Sequence, residues 1–376
     1  MNDDACRTAA TDSVERLSGA DVGGAAATDA ELRVTLPGGP GDVHAWAQYV
    51  AAHADGTVFH DPCWSLTVRE CFGHQPMHLL AWRGARLVGV LPLMEVRSLL
   101  AGRLLISVPY GTYGGILADD DATRDVLAST ARELAEAGGA RVLELRSRTA
   151  AVADFEPIDG YLGFSKSLPA TPDAVAASLP KRPRAAARHA RDRDGVQVVH
   201  DPELLEAIWH LYCRSMRRLA SVNYPLAFFR ALQARLGDDL WVSAACRGGE
   251  LICGTLCLVY RDTIMPYILG ADERITGEGA ANLLYWDLME RAVQRGLHTW
   301  DYGRSRADNR GAVGFKKNQG FEPSPLGYQA FVPGGRRPPN LKPSNPRFAL
   351  ARRVWTRLPL AITRPLGAWL SRSLPG

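Results

Sequence analysis

The sequence predicts an α/β protein built as two tandem domains, each a mixed central sheet flanked by helices, with a basic amphipathic tail behind them. Three observations carry that expectation. The chain is 376 residues long, more than one ordinary core needs, and its 46% hydrophobic and 22% charged residues suit a globular protein. A hairpin–strand–helix–strand pattern occurs twice along it. Its charge is segregated: from Arg336 onward there are nine basic residues and no Asp or Glu, leaving 35 basic against 40 acidic residues before them.

Residues 1–30 are small, polar and aperiodic, and are expected to be disordered. Asp3 and Asp4 stand where a secretory leader carries positive charge, and no apolar run follows, so a signal peptide is not expected. The first domain is expected over residues 31–165. Leu79–Trp82 and Leu87–Leu91 read as strands joined by the Arg83–Arg86 turn, and Leu104–Val108 as another strand. The glycine-rich loop Pro109–Gly115 follows. Asp125–Ala137 reads as a helix with Val126, Leu127, Thr130 and Leu134 on one face, stopped by Gly138 and Gly139, and Arg141–Arg146 as a strand.

The second domain is expected over residues 166–335. A helix over Lys181–Arg193 would put Arg184, Arg188 and Arg191 on one face; Leu204–Tyr212 and the stretch around Phe229–Leu236 read as amphipathic helices. Trp241–Cys246 and Leu251–Tyr260 form a second hairpin about the Arg247–Glu250 turn. Strand Thr263–Leu269, helix Ala281–Arg295 and strand His298–Tyr302 then repeat the earlier order. The two copies share spacing: Gly139 precedes Glu144 by five residues, as Gly296 precedes Asp301. Two helices, a hairpin, a strand, a helix and a strand is the order of a GNAT domain.

The candidate chemistry lies in that second copy. Arg274-Ile-Thr-Gly277-Glu-Gly279-Ala280, between a strand and a helix, has the letters of a pyrophosphate loop: glycines allow close backbone approach, and free N–H groups at the helix start face an anion. An ordinary glycine-rich turn has the same letters. Asp301, Tyr302 and Arg304 close the next strand, where an acid, a phenol and a guanidinium can orient an amine and move its proton. A strand end whose Asp and Arg pair with each other is the plainer alternative. Lys316, in a surface loop at Phe315–Gly320, offers an ammonium for the oxyanion of an acyl-transfer intermediate, although most such lysines are merely solvated. Arg184 and Arg188 could grip a phosphate-bearing substrate or simply face solvent. Tyr110 and Tyr113 could line a sugar or peptide groove or simply cap the sheet.

Other chemistries find little support. The seven cysteines are scattered without a C-x-x-C pair, so no zinc or dithiol site is signalled, and a reducing cytoplasm suits them. No G-x-S-x-G elbow and no G-x-x-x-x-G-K-[ST] loop occurs. His74 and His78 are separated by Pro76, which spoils a shared helix face for a metal. No run approaches the length of a spanning helix. The tail over residues 346–372 combines Phe348, Val354, Trp355, Leu358, Ile362, Leu366 and Trp369 with arginines, and reads as an interfacial helix pair for an anionic membrane surface; docking on the protein's own body is the alternative. The charge pattern gives no reason to expect DNA as a partner.

Gly89–Leu93, Ser107–Tyr110 with Tyr113–Gly115, Glu144–Arg146, Asn282–Trp286, Asp301–Ser305, Phe315-Lys316 and Arg357–Leu360 together resemble the FemAB-related proteins of exosortase/PEP-CTERM systems, within the BioF2-like acetyltransferase and Fem group. The resemblance runs from about Val43 to Pro375. It implies tandem GNAT-like (Fem-type) domains and an N-acyltransferase of cell-envelope or exopolysaccharide assembly. Such an enzyme would be cytoplasmic or peripheral at the inner membrane face, with a small-molecule, glycan or peptide acceptor. It places the F-K-x-x-x-G lysine of Fem transferases on Lys316 and draws Asn282 into the substrate site. The donor it implies is acyl-CoA or an aminoacyl-tRNA, with no tightly bound cofactor. The Arg274–Gly279 loop and the lack of a long helical arm favour acyl-CoA. The rivals are a Fem-like, tRNA-dependent peptidyltransferase of peptidoglycan precursors and an inactive membrane-associated scaffold.

Overall fold

The computed structural model describes residues 31–149, 152–272, 278–335 and 349–375. The chain divides into two compact units. One comprises residues 1–159, 326–342 and 372–376; the other comprises 160–325 and 343–371. The units therefore differ from the expected division at 165, 166 and 336. The expected disorder of residues 1–30 lies outside the described residues.

The first unit holds strands β1 (Leu32–Thr35), β2 (Gln75–Pro76), β3 (Leu79–Arg83), β4 (Arg86–Leu91), β5 (Met94–Ser98), β6 (Gly102–Ile106), β7 (Leu117–Ala118), β8 (Val142–Arg146) and β9 (Glu156–Pro157). Its helices are α1 (Pro40–Ala52), α2 (Pro62–Phe72) and α3 (Asp121–Ala137). One sheet runs β1-β3-β4-β7. The other runs β2-β5-β6-β8, then the strand Tyr328–Phe331, then β9. The strand Tyr328–Phe331, which the sequence reading did not find, pairs antiparallel with β8, and this is why the unit reclaims residues 326–335. Helix α3 begins four residues earlier than expected because Asp120 accepts a hydrogen bond from the Thr123 N–H and caps it. It buries Leu127, Ala131, Leu134 and Ala135 against Leu79, Ala81, Leu91 and Leu143, while Val126 faces solvent. Strands β6 and β8 run parallel, with α3 crossing between them.

The second unit adds β10 (Tyr161–Ser167), β11 (Gln197–His200), β12 (Leu240–Arg247), β13 (Glu250–Tyr260), β14 (Thr263–Ala271), β15 (Thr299–Arg306) and β16 (Ser324–Pro325). Its helices are α4 (Pro172–Ser178), α5 (Lys181–Asp192), α6 (Leu205–Arg218), α7 (Leu226–Leu236), α8 (Glu278–Gln294), α9 (Arg310–Asn318), α10 (Ala349–Trp355) and α11 (Leu360–Leu370). A single sheet runs β11-β12-β13-β14-β15-β10-β16, antiparallel except at β14–β15. Helix α8 covers it, burying Leu284, Leu288, Met289 and Ala292 with Ala245, Cys253 and Cys257. Those two cysteines act as small apolar groups, and burial pushes both thiols up to about 12. The segment around Lys316, read from sequence as a loop, is the last turn of α9. Asn309 caps that helix by accepting from the Ala312 N–H.

The tail joins the second unit by one face only. Thr363 and Gly367 of α11 are buried; a Cβ on Gly367 would lie 2.3 Å from Asn223 Oδ1. Asn223 donates to the Arg364 carbonyl at 3.1 Å, Arg217 to the Leu358 carbonyl at 3.1 Å, and the Trp355 indole to the Ser221 carbonyl at 3.0 Å. The expected interfacial helix pair is thus docked on α6 and the segment after it, the alternative the sequence had left open. Residues 346–348 lie outside the described residues. Among the described residues no helix is long and apolar enough to cross a membrane.

Candidate active site

The site begins with two parallel strands that part. β14 and β15 share the register pairs Thr263↔Thr299 and Ile264↔Trp300, and no further pair is formed. Each continues beside its outer neighbour, β14 along β13 to Ala271 and β15 along β10 to Arg306. The sequence supplies the cause. Pro266, two residues past the last pair, has no N–H to give a neighbouring strand. An extra residue bulges β14 at Tyr267, where Leu256↔Ile268 is followed by Cys257↔Pro266. A second bulge interrupts β15 between Asp301 and Arg304, opposite Gly163–Ser165 of β10. Bulges bend a strand and break its ladder, so two of them here spread the pair apart.

The β15 bulge turns Lys316 into a fixed cation. Successive carbonyls of a regular strand point in opposite directions. At the bulge, Gly303 adopts φ 61°, a conformation that favours glycine, and three consecutive carbonyls converge. Lys316 Nζ donates to Tyr302 O at 2.8 Å, Arg304 O at 3.1 Å and Gly303 O at 3.5 Å. The ammonium also lies 5.0 Å from the Phe164 ring centroid. Burial pulls its pKa down to about 8, against the opposing pull of Asp301. Asp301 is fully buried, and its Oδ1 accepts from the Gly303 N–H at 2.6 Å, which helps hold the bulge.

Tyr302 is buried among Tyr285, Phe315 and Phe321, with ring centroids 5.3, 6.2 and 4.6 Å away. The Trp300 ring lies beside it, with centroids 5.5 Å apart, and the two polar tips, the Tyr302 hydroxyl and the Trp300 indole N–H, are both buried. Burial raises the phenol pKa well above its usual value, so the hydroxyl stays protonated at neutral pH.

The start of α8 adjoins this cluster. Asn282 accepts a short hydrogen bond from Gln319, the residue that caps α9 one turn beyond Lys316. Gly279 is buried because α5 crosses there: a Cβ on it would stand 2.3 Å from the Ala186 carbonyl oxygen and 2.7 Å from Ala190 Cβ. Gly279 and Ala280 are both buried in the first turn of α8, whose leading N–H groups have no partner inside the helix. Packing alone thus requires one of the two glycines assigned to an anion loop. Arg274 and Gly277 lie outside the described residues.

The structure brings Lys316, Asp301, Tyr302, Arg304, Asn282, Gly279 and Ala280 into one region. The remaining candidates have other tasks. Arg184 donates to the Ala176 carbonyl at 3.0 Å, tying α5 to α4, while Arg188 lies exposed 5.9 Å from the Trp286 ring centroid. Arg304 stacks at 5.0 Å over Tyr161. Tyr110 and Tyr113 belong to the first unit and are each 3% exposed, so they do not line an open groove there. Tyr110 stacks on Phe72 at 3.8 Å and bonds His74 at 2.7 Å; Tyr113 lies under Arg148 at 4.2 Å. His74 and His78 serve apart, since His78 accepts from the Leu93 N–H at 3.0 Å. Sequence reasoning missed Gln319, Phe164 and the two bulges. Pro266 inside an otherwise continuous strand run was the available signal for one bulge.

In the first unit the corresponding parallel pair stays closed. β6 and β8 keep three register pairs, followed by Ser107 N to Glu144 O at 3.0 Å, Arg146 N to Ser107 Oγ at 2.9 Å and Gly114 N to Arg146 O at 2.9 Å. Arg146, 2% exposed, fills the spot with a guanidinium whose Nη1 donates to the carbonyls of Val108, Gly111 and Pro375.

A helix after a strand, a parallel return strand and a parting between the two are the frame of this α/β unit. Residues 178–317 match the family described as an acetyltransferase (GNAT) domain, so the second unit contains a GNAT-type domain. Among solved structures the chain is similar to FemX, with a TM-score of 0.60 and 14% identity over 80% of this chain and 97% of that one. It is similar to a tandem GNAT protein from the clavulanic acid biosynthesis pathway, with a TM-score of 0.53 and 14% identity over 82% and 100%. A third likeness is to the C-terminal domain of a putative lysylphosphatidylglycerol synthetase from Agrobacterium fabrum, with a TM-score of 0.51 and 14% identity over 77% and 91%. At these identities the likeness is one of fold, that of tandem GNAT-like domains. No curated protein matches the chain.

Proposed function

We propose that the protein is an N-acyltransferase whose reaction takes place where β14 and β15 part. The acceptor amine attacks the carbonyl carbon of a thioester or ester donor, the tetrahedral adduct collapses, and the thiolate or alkoxide leaves. Lys316 polarises that carbonyl. Its contact with Gly303 O, at 3.5 Å, is the longest of three, so an incoming acyl oxygen takes that proton while the two shorter bonds keep the ammonium aimed. As the adduct collapses, the nitrogen's proton reaches the departing sulfur or oxygen through the Tyr302 hydroxyl, which gives one proton and takes the other and so ends neutral. Asp301 acts through Lys316, by charge and by holding the bulge. The single observation that carries the reading is the half-buried lysine fixed by the carbonyls of the β15 bulge, inside a GNAT-type domain.

The donor of this reading is acyl-CoA, its phosphates taken by the leading N–H groups of α8 and by Arg274. The acceptor is an amine on a glycan, peptide or small molecule of cell-envelope or exopolysaccharide assembly, which the resemblance supports. One observation favours an aminoacyl-tRNA donor instead: α5, which touches α8 at Gly279, exposes Lys181, Arg182, Arg188 and Arg191, and Arg193 follows at its end. Incubating the purified protein separately with acyl-CoA and with charged tRNA, each with an amine acceptor, and measuring donor consumption decides between them. Consumption of neither, together with no calorimetric binding of CoA, would leave the scaffold reading and end the proposal.

A further inference from the structure

The tail helix α11 is inverted relative to an ordinary packed helix. Its fully buried positions are small, Thr363 and Gly367, and are flanked by the half-buried Leu360 and Leu370. A second stripe, about a third of the way round the helix, is large and apolar: Ile362, Leu366 and Trp369, spaced one turn apart, are 47%, 36% and 53% exposed. On α10, Leu350 and Val354 are likewise 74% and 49% exposed. A helix that docks by its small residues and turns its bulky apolar ones to water has a second face without a partner among the described residues. Arg352, Arg353 and Arg357 are exposed beside it, and the sequence holds no Asp or Glu anywhere after Glu322.

We propose that this face, Leu350, Val354, Ile362, Leu366 and Trp369 with Arg352, Arg353 and Arg357, seats the protein on an anionic lipid surface. The charge selects the occupant. An apolar stripe on two helices that carry arginines and no carboxylate suits the boundary between acyl chains and acidic headgroups. A second copy of the same face would bring like charges together, which disfavours self-association. Neither helix is long enough to span, so each lies in the plane of the surface with the rest of the unit held at α6. The inference is independent of the catalytic reading, because no residue of the acyl-transfer site takes part.

The test is co-sedimentation of the full chain with phosphatidylglycerol-containing vesicles and with phosphatidylcholine vesicles. Three arginines at about 1 kcal/mol each predict a preference for the anionic vesicles of about a hundredfold, shrinking as salt is raised. The triple variant Ile362→Ser, Leu366→Ser, Trp369→Ser should lose binding to both kinds of vesicle. These side chains face solvent, so its thermal midpoint should match that of the parent protein. Arg352→Gln, Arg353→Gln, Arg357→Gln should lose the anionic preference alone. Wild-type protein that stays in the supernatant, or serine variants that still sediment with vesicles, would overturn the proposal. So would a lipid-free dimer, seen by analytical ultracentrifugation, that the serine variants dissociate.

Discussion

Replacing Lys316 by Met separates the two consequences of burying a cation. The first is catalytic. If the protonated ammonium stabilises the oxyanion, Lys316→Met should lower kcat by about a hundred- to a thousandfold. The parent enzyme's kcat/KM should fall as pH rises through about 8, where Lys316 loses its proton. Lys316→Arg keeps its charge across that range and should remove the fall, whatever its absolute rate. The second consequence is stability. A lysine whose pKa drops from 10.5 to about 8 makes the folded protein roughly 3 kcal/mol less stable at neutral pH than an unperturbed lysine would. The sign follows from the depressed value: the penalty is full below pH 8 and vanishes above 10.5. The stability of the parent minus that of Lys316→Met, from urea melts at pH 7 and pH 10.5, should therefore rise by about 3 kcal/mol. Taking the difference cancels the buried phenols and thiols that titrate in the same window. Undiminished turnover in Lys316→Met, or a kcat/KM that climbs through pH 8, would refute the oxyanion role. A flat stability difference would refute the burial that underlies it.

Three further outcomes test the surroundings of that lysine. Asp301→Asn keeps an acceptor for the Gly303 N–H but removes the charge that raises the Lys316 pKa, so the fall in kcat/KM should move to lower pH. Tyr302→Phe removes a buried hydroxyl beside the Trp300 indole; urea melts should show a loss of no more than about 1 kcal/mol, while turnover of a donor with a poor leaving group drops about a hundredfold. Gly279→Ala drives a methyl into the Ala186 carbonyl; it should cost about 1–3 kcal/mol and raise the donor KM by displacing the start of α8 from α5.

What could be read without coordinates was whatever local patterns specify. The hairpin at Arg247–Glu250, the helix before Gly296 and the strand through Trp300, Asp301 and Tyr302 all follow from turn residues and periodicity, and the structure has each, the last running on to Arg306. Lys316 was picked out by its residue type and its motif, yet its setting was misread. Gly311 and Gly314 dilute the helical signal of Arg310–Asn318, and the Asn309 cap that rescues it is one ordinary side chain. The convergence of three carbonyls on that lysine depends on a bulge, and a bulge is a mismatch between two strands over a hundred residues apart. No single stretch of sequence encodes it. The same limit hid Tyr328–Phe331, whose four residues carry no strong pattern and acquire their partner, β8, from across the chain. The closed pair in the first unit was hidden for a related reason: Arg146 looks like any strand-end arginine until its three carbonyl acceptors are known.

The position of Tyr328–Phe331 in the chain has a bearing on how the protein is made. The inner strand β8 keeps one edge bare until those residues arrive, and they are translated after almost the whole second unit. A ribosome moving at about 5–20 residues per second leaves that edge waiting for roughly ten seconds or more after Arg146 is added. During that interval the nascent first unit exposes an unpaired strand edge, the template on which sheets of separate chains join. The order of synthesis, rather than the finished fold, is therefore where this protein is most open to aggregation.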